Sequence, residues 1–196
     1  MKQPPFTYLA GLGNWSLFCG LSYCGGAPSP ARCERDLVNW LLWVANKSRV
    51  KPEKLVYLAR PENGERFGRI HGHALIELSE QVLRRFFLLQ KGICESIKMG
   101  SKYIPAAHKA WGHGMTFFRL VQGASDPVVT GYLDKQDKHR AESYEINKTA
   151  AATRLVISKA LHRRAMSALK RVTISTGTEK PAATALAQFN GSSLMT

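Results

Sequence analysis

His71 and His73 are the residues whose type and spacing first suggest chemistry. They stand in Gly68-Arg-Ile-His-Gly-His-Ala-Leu-Ile-Glu-Leu78, where Ile70, Gly72, Ala74, Ile76 and Leu78 alternate with His71, His73, Leu75 and Glu77. A period of two predicts a β-strand, with both imidazoles on one face and two residues apart. Gly72 between them leaves the opposite face open to a close approach. On this motif alone two readings stand level. One is two-thirds of a three-ligand metal site; the other is a pair of half-buried strand histidines held by hydrogen bonds.

A third ligand has a natural source in Glu62, nine residues before His71 and across a turn containing Asn63-Gly64, a strong hairpin signal. A hairpin sets such positions side by side. Glu65 and Glu77 are fallbacks, although Glu77 lies about 13 Å beyond His73 at strand rise. Two imidazoles and one carboxylate leave coordination positions open, as catalytic rather than structural metal sites do.

Val128-Val-Thr-Gly-Tyr-Leu-Asp-Lys-Gln136 supplies a nucleophile. Tyr132 and Lys135 fall at i and i+3 of a predicted helix, so both point the same way. A phenol is a poor nucleophile at its ordinary pKa near 10. A neighbouring ammonium favours the phenolate and balances the extra charge of a phosphoryl-transfer transition state. Taken singly, Tyr132 also reads as a buried aromatic and Lys135 as a surface lysine.

These pieces need elements to carry them. Trp15 to Tyr23 predicts a strand, and Ser29-Pro30 a helix start with Leu37, Trp40, Leu41 and Val44 on its apolar face. Leu55 to Leu58 opens the next strand. A second amphipathic helix is expected over roughly Glu80 to Lys98, a basic loop from Lys98 to Gly114, and a strand from Met115 to Val121. Ser125-Asp-Pro127 starts a helix over Val128 to Ala141. Ile157, Leu161, Ala165 and Leu169 line a basic amphipathic helix in a stretch, Ile146 to Thr178, that has no acidic residue. The fold expected is α+β, an antiparallel sheet flanked by helices, with a basic C-terminal helix.

Lys and Arg number 28 against 14 Asp and Glu in 196 residues, a net charge of +14. That surplus predicts a polyanionic partner, most often nucleic acid. The 44% hydrophobic content suits a globular chain. Cys19, Cys24, Cys33 and Cys94 form no Cys-x-x-Cys and read as reduced thiols. The uncharged run from Gln3 to Ala31 is broken by Pro4-Pro5, Gly13-Asn14 and Gly25-Gly26, too often for a signal peptide or a membrane span.

The order of parts resembles the HUH endonucleases: a carboxylate, His-Gly-His on a strand, an apolar helix, Trp111-Gly-His-Gly114, a strand, then Tyr132-x-x-Lys135. Among them it is similar to the single-tyrosine rolling-circle replication initiators of phages and plasmids, over about Trp15 to Lys138. Val128 stands where a second tyrosine would be, and only Ser22 answers the threonine that usually ends the first strand. The resemblance implies an HUH, RNA-recognition-motif-like domain, set here at 1–145; the acid-free stretch reads as a basic helical extension over 146–172, and the Ser-, Thr-, Ala- and Gly-rich 173–196 as a disordered tail. It implies that His71, His73 and Glu62 hold Mg²⁺ or Mn²⁺ while Tyr132, aided by Lys135, nicks single-stranded DNA at a replication origin through a 5′-phosphotyrosyl link. No Gly-x4-Gly-Lys-[Ser/Thr] occurs, so unwinding is left to a host or phage helicase, with a polymerase extending the freed 3′ end. The expected setting is the cytoplasm of a bacterial host, without a membrane partner. Two other classes remain: a catalytically inactive single-stranded nucleic-acid-binding protein, and a mononuclear iron oxygenase using two histidines and a carboxylate.

Overall fold

The computed structural model describes residues 6–25, 28–63, 70–88, 92–96, 101–129 and 156–176. The elements in chain order are α1 (Phe6–Gly11), β1 (Leu17–Ser22), α2 (Pro30–Ser48), a 3-10 turn (Pro52–Lys54), β2 (Val56–Asn63) and β3 (Ile70–Glu77). There follow α3 (Glu80–Leu88), β4 (Cys94–Ser96), β5 (Ser101–Tyr103), α4 (Pro105–Trp111), β6 (Thr116–Leu120), β7 (Val156–Ile157) and α5 (Lys159–Thr176). Among the described residues every strand pair is antiparallel, in a seven-stranded sheet of order β4-β5-β6-β1-β3-β2-β7.

Within it, β6-β1-β3-β2 is a β-α-β-β-α-β arrangement with β1 and β3 in the middle. β1 is accordingly buried along nearly its whole length. Alternation sends Leu17, Cys19, Leu21, Ala74, Ile76 and Phe118 toward α2, α3 and α4, where Leu37, Trp40, Leu41, Val44 and Phe86 complete one core. Phe18, Leu58 and Leu75 face the other way, into a second core closed by Leu9, Trp15, Val129, Leu161 and Ala165.

The α2 start matches its sequence signal. Ser29 is the N-cap, its Oγ accepting from Arg32 N–H at 3.3 Å, and Pro30 follows at the first helical position. The other end is closed by Arg49, a non-glycine in the left-handed region (φ 55°), whose N–H returns to the carbonyls of Ala45 and Asn46.

Two expectations need correction. The second amphipathic helix, described over Glu80–Leu88, does not run to Lys98: Cys94–Ser96 pairs with Ser101–Tyr103 as a hairpin on the β6 edge. Ile93 continued the helical spacing of Phe86 and Leu89, but Gly92 at φ 79° takes a conformation no helix contains. The basic stretch before Gly114 is not all loop either. Pro105 starts α4, and Gly112 at φ 68° closes it with its N–H on His108 O. Ahead of β1 lies α1, which Trp15 caps by donating its Nε1 to Ala10 O at 2.5 Å.

The basic C-terminal stretch is helical over Lys159–Thr176 and packs on the sheet through Leu161 and Ala165. Two of its cations are bound internally: Arg163 donates to Glu53 O, and Arg164 to Leu12 O and to both Glu77 carboxylate oxygens. Among the described residues no helix is long and apolar enough to cross a membrane, and Cys19, Cys24 and Cys33 are free thiols.

Candidate functional site

β3 lies between β1 and β2, so each histidine has a neighbour on both sides. The register gives one row across four strands, Met115 beside Ser22, Ser22 opposite His71, and His71 opposite Glu62. The next row is Phe117, Gly20, His73 and Arg60. Directly opposed positions of an antiparallel ladder share a face and lie about 5 Å apart. The backbone therefore sets the Glu62 position beside His71, the neighbour the hairpin spacing called for. Beyond its backbone, Glu62 lies outside the described residues, as do Glu65, Tyr132 and Lys135 altogether.

The imidazoles of His71 and His73 stand edge to face, centroids 4.8 Å apart and planes at 89°. Phe18 fixes the second ring, stacking on His73 at 5.3 Å and 21°. Phe18 is in turn backed by Phe117, 6.1 Å away, which lies across β1 at Gly20. A Cβ at Gly20 would come within 1.9 Å of the Phe117 ring, so only glycine lets this aromatic support settle over the strand. On the far side of β3, a Cβ at Gly72 would sit 2.7 Å from Leu37 Cδ2, which shows how tightly α2 presses on the strand between the two histidines.

Trp111-Gly-His-Gly114 is the clamp that holds the β1 end in place. Trp111 Nε1 donates to Ser22 O at 2.7 Å, and Cys24 N–H to His113 O at 2.6 Å. Ser22 exchanges N–H and hydroxyl bonds with the Met115 backbone at 2.8 and 2.9 Å. A Cβ on Gly114 would lie 2.3 Å from Ser22 O, leaving no room for a side chain. The softer of the sequence correspondences, Ser22, thus has a definite job: its hydroxyl ties β1 to β6 beside His71.

At the other end of β3 the same face is closed. Glu77 forms a bidentate pair with Arg164, at 2.8 and 3.1 Å, and accepts from Asn14 N–H at 2.9 Å. Burial raises its pKa, but the Arg164 and Asn14 hydrogen bonds outweigh this and hold it below the ordinary carboxylate value. Glu77 is a structural partner of α5, so it is withdrawn as a fallback ligand.

The chain bearing the proposed nucleophile can be followed to Val129. Asp126 accepts from Gln122 N–H and Val128 N–H, both at 2.9 Å, and caps a helical turn at 127–129 that begins with Pro127. Val129, three residues before Tyr132, is buried in the same cluster as Phe18 and Leu75. The segment leading to Tyr132 is therefore anchored on the histidine side of the sheet.

His113 has no partner in its own stretch of sequence, but the fold gives it several. Its Nε2 lies 3.4 Å from Asp36 Oδ2, and its ring stacks on Tyr23 at 5.5 Å. Tyr23 donates its hydroxyl to the same Asp36 oxygen at 3.2 Å. Burial, together with the nearby Cys33 and Asp36, pushes the Tyr23 phenol well above its usual pKa. No local pattern links Asp36 on α2 to His113 after α4; only the packing of those two helices brings them together.

Among the described residues no three His, Cys, Asp or Glu side chains are grouped closely enough to hold a metal ion. Two imidazoles and a carboxylate, the side-chain types at His71, His73 and the Glu62 position, are nitrogen and oxygen donors of the kind that would suit Mn²⁺, and Mg²⁺ with added water and phosphate oxygens. Comparison with protein-family models, with curated proteins and with solved structures returned no match.

Proposed function

We propose that this chain is an HUH-type endonuclease of the rolling-circle initiator kind, with an RNA-recognition-motif-like sheet, acting on single-stranded DNA at a replication origin. The observation that carries this reading is the cross-strand pairing of Glu62 with His71, with His73 two residues on, on the sheet face that Val129 packs against just before Tyr132.

In this reading His71, His73 and Glu62 would hold Mg²⁺ or Mn²⁺, which would supply phosphate charge neutralisation and polarisation of the phosphorus, a contribution of several kcal/mol. Tyr132 attacks with its phenolic oxygen. A bond forms between that oxygen and phosphorus as the bond to the 3′ oxygen breaks; the phenol gives up its proton and the departing alkoxide takes one, leaving a free 3′-hydroxyl and a 5′-phosphotyrosyl ester. Lys135 favours the phenolate and balances charge as the transition state forms. Reversal by another 3′-hydroxyl rejoins the strand. The ester linkage is conserved throughout, so no nucleotide cofactor is consumed. The net charge of +14 supports binding to the DNA backbone that weakens steeply with salt. A host or phage helicase and polymerase would supply unwinding and extension.

Incubating the protein with labelled single-stranded origin DNA and Mn²⁺ tests the reading. The expected result is a covalent adduct that survives SDS, disappears in Tyr132→Phe and forms at least a hundredfold more slowly in His73→Ala. Binding without any adduct would instead mark a catalytically inactive single-stranded nucleic-acid-binding protein. An adduct that persists in Tyr132→Phe would displace the assigned nucleophile.

A further inference from the structure

Just past Ser22, at the same end of the sheet as His71, the ends of β1 and α4 and the start of α2 enclose an open recess of about 700 Å³. That volume is within the range of small-molecule and nucleotide sites. Its lining includes Tyr23, Arg32, His108, Lys109, His113 and Met115, and no carboxylate among the described residues. The nearby Asp36 side chain is 11% exposed and is turned to Arg32, Tyr23 and His113. The recess thus offers solvent two exposed cations, Arg32 and Lys109, beside a Tyr23–His113 stack braced edge-on by Trp111.

An aromatic wall with flexible cations at its rim is what a nucleotide unit needs, a planar base to stack and a phosphate to neutralise. Its location fits as well. Met115 borders the recess and lies beside Ser22, which is opposite His71. The recess opens on the α2 and α4 side of the sheet and His71 faces the other side, so a strand that crosses His71 reaches it by passing over the end of β1 at Ser22 and Met115, a path of a few nucleotides.

From this we infer that the recess is a second binding subsite, taking one nucleotide of the single strand that crosses the histidine row. The inference rests on the nuclease reading for its choice of DNA, but its own evidence is the cationic and aromatic lining. It makes Arg32 and Lys109 contacts to the DNA backbone, and the partly exposed His113 ring, backed by the buried Tyr23, a platform for a base.

The test measures equilibrium binding without added metal, so cleavage plays no part. The probe is a fluorescent single-stranded oligonucleotide of about twenty nucleotides carrying 5-iododeoxyuridine. The double variant Arg32→Ala/Lys109→Ala should bind about tenfold more weakly, with a shallower dependence on log salt by about 1 to 1.5. The control Lys47→Ala/Lys51→Ala, at the far end of α2, should stay within about twofold of the parent, and thermal melts should show both variants folded. Ultraviolet cross-links should map to peptides containing Tyr23 or His113. Equal losses in the two double variants, no loss in either, or cross-links confined to other segments would overturn the subsite. So would saturable binding of free dTMP in the recess with strand binding unaffected by the variant, which would assign it to a free nucleotide. A missing Tyr132 adduct alongside the expected binding loss would sink the nuclease reading and leave the subsite standing; a normal adduct with no binding loss would do the reverse.

Discussion

The histidine-bearing face of β3 is built by opposite rules at its two ends. From Leu75 to Glu77 it is sealed: Leu75 is buried among Phe18, Leu58, Val129, Leu161 and Ala165, and Glu77 is tied to Arg164 and Asn14. From His71 to His73 it stays half open, with polar rings held by a stack and by strand register rather than enclosed. The sealed end stabilises the fold, and the open end spends some of that stability on exposing chemistry. Substitutions should therefore sort by end, the sealed one moving stability and the open one moving activity.

The largest expected effect lies outside that sorting, in the backbone clamp that ties β1 to β6 beside Ser22. Gly114→Val drives a side chain against the Ser22 carbonyl, 2.3 Å from where its Cβ must sit, and should cost about 3 kcal/mol or more in urea unfolding. Leu161→Ala, wholly at the sealed end, should lose about 2–4 kcal/mol while leaving DNA binding at neutral pH within about twofold of the parent.

Arg164→Ala should cost about 1–2 kcal/mol at neutral pH, and it carries a signature in acid. Because Glu77 has a lowered pKa in the folded protein, the unfolded chain binds its proton more readily. The stabilisation is full above the unfolded carboxylate pKa and is lost as pH falls through the folded one. Urea midpoints measured at neutral pH and near pH 3 should converge between Arg164→Ala and the parent as the acid limit is approached. A gap that stays constant with pH would mean that Arg164 acts through packing and its bond to Leu12 O alone.

The smallest change in stability should come from His71→Gln, under about 1 kcal/mol, since its ring is only partly buried. The same variant should lose the covalent adduct. If His71→Gln unfolds the protein as Leu161→Ala does, the two ends are not distinct and the site reading weakens with them.

Legibility in the sequence followed locality. The period of two around His71, the Ser29-Pro30 start of α2 and the nine-residue step from Glu62 to His71 are short-range signals, and the strand, the helix cap and the register follow them. β4, β5 and β7 are three residues or fewer, too short to display a period; β5 and β7 exist because β6 and β2 offer an edge, and β4 because β5 does. Gly20 carried no signal in its own neighbourhood; its meaning comes from Phe117, almost a hundred residues later. The same holds for Asp36, His113 and Tyr23, and for the Arg164–Glu77 pair that turned a basic helix face inward. The role of Tyr132 and Lys135 rests on the sequence pattern, with the anchoring of Val129 as its structural support.

Arg164 reaches Leu12 O across 152 positions and Glu77 across 87. During synthesis the first half of the sheet leaves the ribosome long before Val129, Leu161 and Ala165, so Phe18, Leu58 and Leu75 wait with only part of their cover, from Leu9 and Trp15. Protection of those strands against hydrogen exchange should consequently lag in nascent chains until the segment through Arg164 has emerged, a delay built in by the order in which the partners are made.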